Sequence, residues 1–225
     1  MEEKFFIHQL PFIKGVILDK YLEAGWYRIG GNIFTTDSFE EFDIIYRVFW
    51  LRYKVRDIVL GKHSKGIIKK NKNFVVNIVP FKNNNELESL HDLYFEKIDF
   101  LTSFTINELL EDVDNLVYDS FLIEIRDNEK LIAAGVFDKG QDSIAGIKNI
   151  YHPEYLQYSL GKYLMLIKLQ YCLQNNVEWY YPGYIAPGHK KFDYKLFIDK
   201  DATEVFIPEI KNWISYKKFI ELKIN

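Results

Sequence analysis

The sequence predicts a mixed α/β (α+β) fold, and three observations carry that expectation. Short β-branched and aromatic runs alternate with stretches of helical spacing along the whole chain. The composition is globular, with 48% hydrophobic and 27% charged residues, which excludes wholesale disorder. The 225 residues suffice for one large domain or two small ones sharing a core.

Residues 16–24, Val-Ile-Leu-Asp-Lys-Tyr-Leu-Glu-Ala, have helical spacing, with Gly25 as the stop. Residues 26–29 and 33–36 flank Gly30-Gly31-Asn32 and predict a hairpin. Residues 44–55 are β-branched and aromatic and predict one long strand, 61–72 a basic helix, and 74–80 a short strand. From Asn84 to about Leu116 the pattern is helical and acidic. Strands are predicted at 120–126, 131–137 and 143–151, the first two joined by the polar turn Asp127-Asn128-Glu129-Lys130. Ser159 is placed to cap a helix reaching about Gln174, with Leu164, Ile167, Leu169 and Cys172 among its apolar positions. Residues 177–181 read as a further strand, and a Gly/Pro-rich loop over 182–188 leads into 189–197. A boundary near residue 80 divides the chain into a smaller β-containing N-terminal part, 1–80, and a C-terminal part, 81–225. Helices, a three-strand meander, a helix and a further strand follow one another in the second part. That order resembles the GNAT-like acyltransferase fold, in which a splayed sheet opens a cleft for an acyl carrier.

No apolar run approaches the ~20 residues of a membrane helix. The start, Met1-Glu2-Glu3-Lys4, is acidic where a signal peptide is positive. Cys172 is the single cysteine, so no internal disulfide forms, and no Cys/His cluster has zinc spacing. The expectation is a cytoplasmic chain with no metal, no cofactor and no membrane partner. Cys172 reads as core rather than nucleophile, and no histidine pairs locally with a serine or cysteine.

Charge is distributed unevenly. The net charge is −3, which argues against a general nucleic-acid coat. Yet no acid lies between Asp57 and Glu86, where Lys62, Lys65, Lys69, Lys70, Lys72 and Lys82 fall, whereas residues 86–142 are strongly acidic. On a helix, Lys65, Lys69 and Lys72 share one side. Such a strip suits a phosphate backbone; the alternative is a solvated helix face with no partner. A second basic group, Gly188-His189-Lys190-Lys191-Phe192-Asp193-Tyr194-Lys195, follows Tyr180, Tyr181 and Tyr184. Lysines beside aromatic faces suit unstacked bases such as the acceptor end of a tRNA; the alternative is a hydrophobic segment with solvated lysines.

Several blocks resemble the aminoacyl-tRNA–protein transferases, the arginyl and leucyl enzymes of the N-end rule pathway. Ala24-Gly25-Trp26-Tyr27-Arg28-Ile29-Gly30 is similar to the family's "R-G-W-R-R-S-G". The strip from His63 to Asn71 stands where the family has "S-[KR]-S-Q-R-R-x-L-R-R-N", with Ser64, Lys65, Lys69, Lys70 and Asn71 kept. Residues 131–138 resemble "L-[IV]-A-V-x-V-x-D", Tyr151-His152-Pro153-Glu154 resembles "Y-D-P-[DE]", and 159–163 resembles "S-L-G-x-Y". Tyr181-Pro182-Gly183-Tyr184-Ile185 followed by Lys191-Phe192-Asp193-Tyr194-Lys195 is similar to "Y-L-G-Y-W-I-x-x-C-x-K-M-x-Y-K". The cysteine cluster that many members carry is missing, and His189 stands at the later cysteine position.

The resemblance implies transfer of arginine or leucine from aminoacyl-tRNA, the co-substrate, to a protein N-terminus, marking the acceptor for degradation. It implies no DNA partner. Asp138 is the expected proton acceptor, against a turn role, with Tyr184 and Tyr194 as catalytic hydroxyls. Lys65, Lys69, Lys70, Asn71, Tyr151, Ser159, Gly161, Tyr163, Tyr181, Gly183, Lys191 and Lys195 are expected to bind tRNA or substrate, against core packing for each tyrosine. The rivals are an acetyl-CoA-dependent GNAT N-acetyltransferase and a non-catalytic RNA- or degron-binding module. The first needs a "[QR]-x-x-G-x-[GA]" loop, and here Gly161 comes one place late and Tyr163 replaces a small residue.

Overall fold

A computed structural model describes residues 5–97, 105–111 and 115–222. Strands β1 (Phe5–His8), β2 (Tyr27–Ile29) and β3 (Asn32–Thr36) make a three-stranded antiparallel sheet in the order β1-β3-β2, with helix α1 (Val16–Glu23) beside it. A separate hairpin joins β4 (Ser38–Glu41) to β5 (Ile44–Arg47). The long strand expected over 44–55 is therefore broken. At Val48 the N–H turns aside to donate to the Asp37 carbonyl at 2.8 Å, and β6 (Phe49–Lys54) then enters a different sheet.

That main sheet has eight strands. After helix α2 (Lys62–Asn71) come β7 (Val75–Pro80), helices α3 (Asn85–Phe95) and α4 (Ile106–Leu110), and the meander β8 (Ser120–Asp127), β9 (Lys130–Lys139) and β10 (Ser143–Tyr151). Helix α5 (Leu160–Gln174), β11 (Trp179–Ile185), β12 (Thr203–Ile207), β13 (Asn212–Ser215) and α6 (Tyr216–Glu221) complete the chain. The strand order is β13-β12-β6-β11-β10-β9-β8-β7. Every neighbouring pair is antiparallel except β10 and β11, which are parallel and so need the crossover that α5 supplies. The boundary expected at residue 80 runs through this sheet, because β6 and β7 precede it and pair with strands that follow it. The helical expectation over 84–116 yields α3, capped by the Asn84 side chain, and α4, opened by a Thr105–Glu108 capping box. Its residues 98–104 and 112–114 lie outside the described residues.

Side-chain alternation along the strands builds a core on each face. Ile144 and Tyr180 point to the face covered by α5 and α2, while their neighbours Ala145 and Tyr181 point to the face covered by α1 and the small sheet. Helix α5 is buried on most of its circumference, with residues 163 to 169 all inside. Among the described residues no helix is long and apolar enough to cross a membrane.

One polar joint fastens the small sheet to the large one. Arg28 on β2 is buried, and its Nη1 donates to Asp138 Oδ1 on β9 at 2.8 Å and to Ser120 Oγ on β8 at 2.9 Å. Its Nη2 donates to the Leu110 carbonyl at 2.6 Å, its Nε to the Gly30 carbonyl at 2.8 Å, and the guanidinium lies 4.2 Å from the Tyr118 ring centroid. Ser120 Oγ in turn donates to Asp138 Oδ1 at 2.6 Å. Buried ions so arranged tolerate loss of one partner badly, because the other is left charged in a low-dielectric interior. Asp138→Ala is expected to cost about 3–5 kcal/mol of stability, read from urea unfolding. A loss under about 1 kcal/mol would show that this joint does not hold the two layers together.

Candidate active site

Strands β10 and β11 pair over only three residues, Ser143–Ala145 against Trp179–Tyr181. Beyond that point β10 is bulged between Gly146 and Lys148, and the pairing of β11 with β6 shifts between Tyr180 and Gly183. Bulges bend strands and increase their twist, so the two strands part and open a cleft in the middle of the sheet. The 3₁₀ segment Lys190–Leu196 packs across the gap. Gly183, in the left-handed region at φ 107°, makes this possible: a Cβ there would lie 3.1 Å from Lys195 Cε.

Two adjoining cavities result. The larger, about 500 Å³, lies at the start of α5 and is walled by Tyr94, Tyr151, Leu156, Ser159, Gly161 and Lys162, with Lys191, Phe192, Tyr194 and Lys195 opposite. The smaller, about 230 Å³, runs deeper between the parted strands, past Tyr27, Arg28, Phe34, Trp50, Met165, Lys168, Tyr180, Gly183 and Tyr184. Ile147, Lys148, Asn149, Tyr194 and Lys195 border both.

The cavities are lined by amines and aromatic rings. Lys195 is buried, donates from Nζ to the Tyr184 carbonyl at 3.0 Å, and stands over the rings of Phe192, Tyr184 and Tyr194 at 4.5, 5.1 and 5.2 Å. Desolvation, with Lys191 nearby, pushes its ammonium down to about 7. Lys148 is likewise pushed down to about 8 by burial and by Lys191. Lys168, 1% exposed, is pushed down to about 7 by burial, partly offset by Asp138. Lys191 is lowered by burial and lies 4.0 Å from Glu41 Oε1, while His189 pairs with the other oxygen of the same carboxylate. No aspartate or glutamate lines either cavity among the described residues.

The residues expected to bind or act divide into three groups. Tyr151, Ser159, Gly161, Gly183, Tyr184, Lys191, Tyr194 and Lys195 line the cavities as a set, Tyr194 being 42% exposed at the junction. Lys65, Lys69 and Lys70 lie exposed on α2, where Lys70 Nζ reaches the Gln157 carbonyl and so joins the helix to the cavity rim. The remaining four are corrected. Asn71 is buried, donating to the Ile67 and Tyr158 carbonyls at 2.8 and 3.0 Å, so it is a joint between α2 and the 153–158 turn rather than an RNA contact. Tyr163 packs in the α5 core. Tyr181 faces the core on the opposite side of the sheet from Tyr180, against Trp213. Asp138 lines neither cavity and holds Arg28 and Ser120. Ser159 sits at the N-cap position of α5 but in left-handed geometry, without a capping bond from its side chain. Sequence reasoning missed Lys148 and Lys168. A lysine amid Leu164, Met165, Leu166, Ile167 and Leu169 is itself a signal, since burial on all sides forces its amine to find a polar use.

The fold is GNAT-like. FemX superposes with a TM-score of 0.52 at 9% identity, covering 98% of this chain and 74% of that one, a likeness of fold alone. Among curated proteins, the aspartate/glutamate leucyltransferase of Leptospira interrogans serovar copenhageni is 22% identical over 229 residues, covering 95% of this chain and 85% of that protein. Its counterpart in Shewanella amazonensis is 26% identical over 203 residues, covering 86% and 81%. The family described as arginine-tRNA-protein transferase, C terminus, matches residues 55–201, which takes in α2, the meander, α5 and the whole segment that closes the cleft. A match of that extent settles the kinship: the chain belongs to the arginine-tRNA–protein transferase family, enzymes that pass an amino acid from a charged tRNA to a protein.

Proposed function

We propose that this protein transfers leucine from leucyl-tRNA to proteins that begin with aspartate or glutamate. The observation that carries this reading is the lining of the two cavities, rich in amines and aromatic carbon and without a carboxylate among the described residues. An arginyl group entering this cleft would bring a guanidinium against lysines with no anion to receive it. A leucyl side chain asks only for apolar wall, which Phe34, Trp50, Met165 and Pro182 supply. An acidic acceptor side chain is complementary to Lys148, Lys191 and Lys195. The names of the relatives support the same donor and acceptor. Marking of the acceptor for degradation belongs to this proposal, since the reaction replaces an acidic N-terminus with an apolar one.

The donor's path follows from charge and shape. Exposed Lys65 and Lys69 attract the phosphate backbone, and Lys70 leads from α2 to the 153–158 turn at the cavity rim. The unpaired acceptor end fits the larger cavity, where Tyr94 and Tyr151, 5.1 Å apart edge to face, offer stacking surfaces. The backbone N–H groups of Leu160 and Gly161 begin α5 beside the same cavity and suit a phosphate. Tyr184 and Tyr194 are the hydroxyls proposed to hold the ester or the terminal ribose. The ester is already activated, so the protein's task is to position two substrates and handle one proton.

Two outcomes test this reading. Purified protein given leucyl- or arginyl-tRNA and peptides beginning Asp, Glu or Ala is expected to join leucine to the acidic peptides at least ~100-fold faster than arginine, as an unpaired buried polar group implies. Equal rates with arginyl-tRNA would overturn the leucine assignment. Lys65→Ala combined with Lys69→Ala is expected to weaken tRNA binding and reduce the slope of log K against log salt by roughly 0.7–0.9 per lysine, with the melting temperature unchanged. An unaltered slope would remove α2 from the RNA path.

A further inference from the structure

Lys168 projects from the middle of α5 into the inner cavity, and its amine has an unusual set of partners. Nζ donates to Asn149 Oδ1 at 2.8 Å and reaches the Lys148 carbonyl at 3.5 Å, and it forms no ion pair among the described residues. Two oxygen acceptors satisfy the two N–H bonds of a neutral amine. A further tetrahedral position of the nitrogen is left for the cavity that Lys168 lines, and in the neutral amine that position is the lone pair. Room is kept there by Gly146 at the β10 bulge: a Cβ on that residue would lie 3.6 Å from Lys168 Nζ and 3.3 Å from the Tyr180 hydroxyl oxygen. An atom seated over Gly146 therefore touches both. Apolar residues surround the stem, so a methionine fills the same space.

We infer that Lys168 is a catalytic residue of the transfer, taking the proton of the attacking α-amine and returning it to the departing 3′ oxygen of the tRNA. The amine nitrogen attacks the ester carbonyl carbon, the C–N bond forms, and the carbonyl electron pair moves to oxygen. The nitrogen, now positive, gives one proton to the lone pair of neutral Lys168 Nζ. Re-formation of the carbonyl breaks the bond to the 3′ oxygen, which leaves with its electron pair and takes the proton from Lys168. The products are an amide and a free 3′ hydroxyl, and the lysine ends neutral as it began. The charged and titratable groups around Nζ fit this duty. Burial drives the amine toward its neutral form, while Asp138 on β9, itself paired with Arg28 on β2, favours its transient protonation. Lys148 on β10 and Lys195 on the 190–196 segment border the same space, and Tyr180 on β11 is held protonated by burial. Lys195, the other deep amine, donates to the Tyr184 carbonyl and stands over three aromatic faces, which fits it to donate to the developing oxyanion instead.

This role rests on the aminoacyl transfer proposed above, though not on which amino acid moves. The test is single-turnover transfer from charged tRNA to an acidic peptide across pH 5.5 to 9, with Lys168→Met beside the wild type. The free acceptor amine, of ordinary pKa about 7.7–8.0, contributes one proton to the acid limb. Lys168 contributes a second, so the wild-type rate is expected to fall with a slope of two below about pH 7 and the variant with a slope of one. Turnover should drop by about 100-fold or more, with apparent affinities for both substrates within about three-fold. The melting temperature is expected to hold or rise, since a buried amine gives way to an apolar isostere. Should the methionine variant not fold, Lys168→Gln, which can still donate toward Asn149, is held to the same outcomes. Wild-type turnover in a folded variant, or a reduced rate with the slope still two, overturns the role of Lys168 alone. A wild-type protein inactive with every charged tRNA overturns the proposed function and this role with it.

Discussion

The buried pair of Arg28 and Asp138 is the constraint on which the site depends. Its two ions sit on different sheets, and the five donated bonds around them tie β2, β8, β9 and the end of α4 into one body. Through this joint Tyr27, Arg28 and Phe34 of the small sheet become a wall of the inner cavity, although they lie over a hundred residues from most of the other wall. Charge carries the link where a hydrophobic contact would permit sliding, because a guanidinium and a carboxylate fix direction as well as distance. The same pair supplies a buried negative charge that Lys168 feels without contacting, so one interaction sets both the shape and the electrostatics of the cleft.

Around that anchor the protein assembles an uncommon solvent: several amines in a space walled by rings and lacking acids. Each amine is driven toward neutrality by lost hydration; Lys191 adds to the effect at Lys148 and Lys195, while Asp138 and Glu41 oppose it at Lys168 and Lys191. A cleft of this kind discriminates by sign, welcoming phosphates and carboxylates and rejecting cations, before any shape is read. It is balanced from outside by Glu41, which engages His189 and Lys191 and so ties the β4–β5 hairpin to the segment that closes the cleft.

Much of this was legible in the sequence, and the failures have physical causes. Lys191, Tyr194, Lys195 and Tyr184, which line the cavities, stand out in the sequence because charge and aromatic rings crowd into one short segment. Lys168 does not, since a lone lysine in an apolar helix looks like a lapse in the pattern until its surroundings are seen. Tyr181 was named for the site and Tyr180 was not, because strand parity cannot be read from two identical neighbours. The partner layer decides it, placing Tyr181 on Trp213 and Tyr180 in the cleft. Asn71 and Asp138 matched a motif correctly, yet a motif fixes position rather than the direction in which a side chain faces. The break at Val48 depends on the Asp37 carbonyl eleven residues earlier, a contact no local window contains.

The approach of Lys195 to Gly183 couples two positions that belong to different elements. A Cβ at 183 would lie 3.1 Å from the lysine's Cε and crowd it, and a shorter residue at 195 would remove that contact. The two sites are therefore coupled: the effect of either change depends on the state of the other, and their energies do not add.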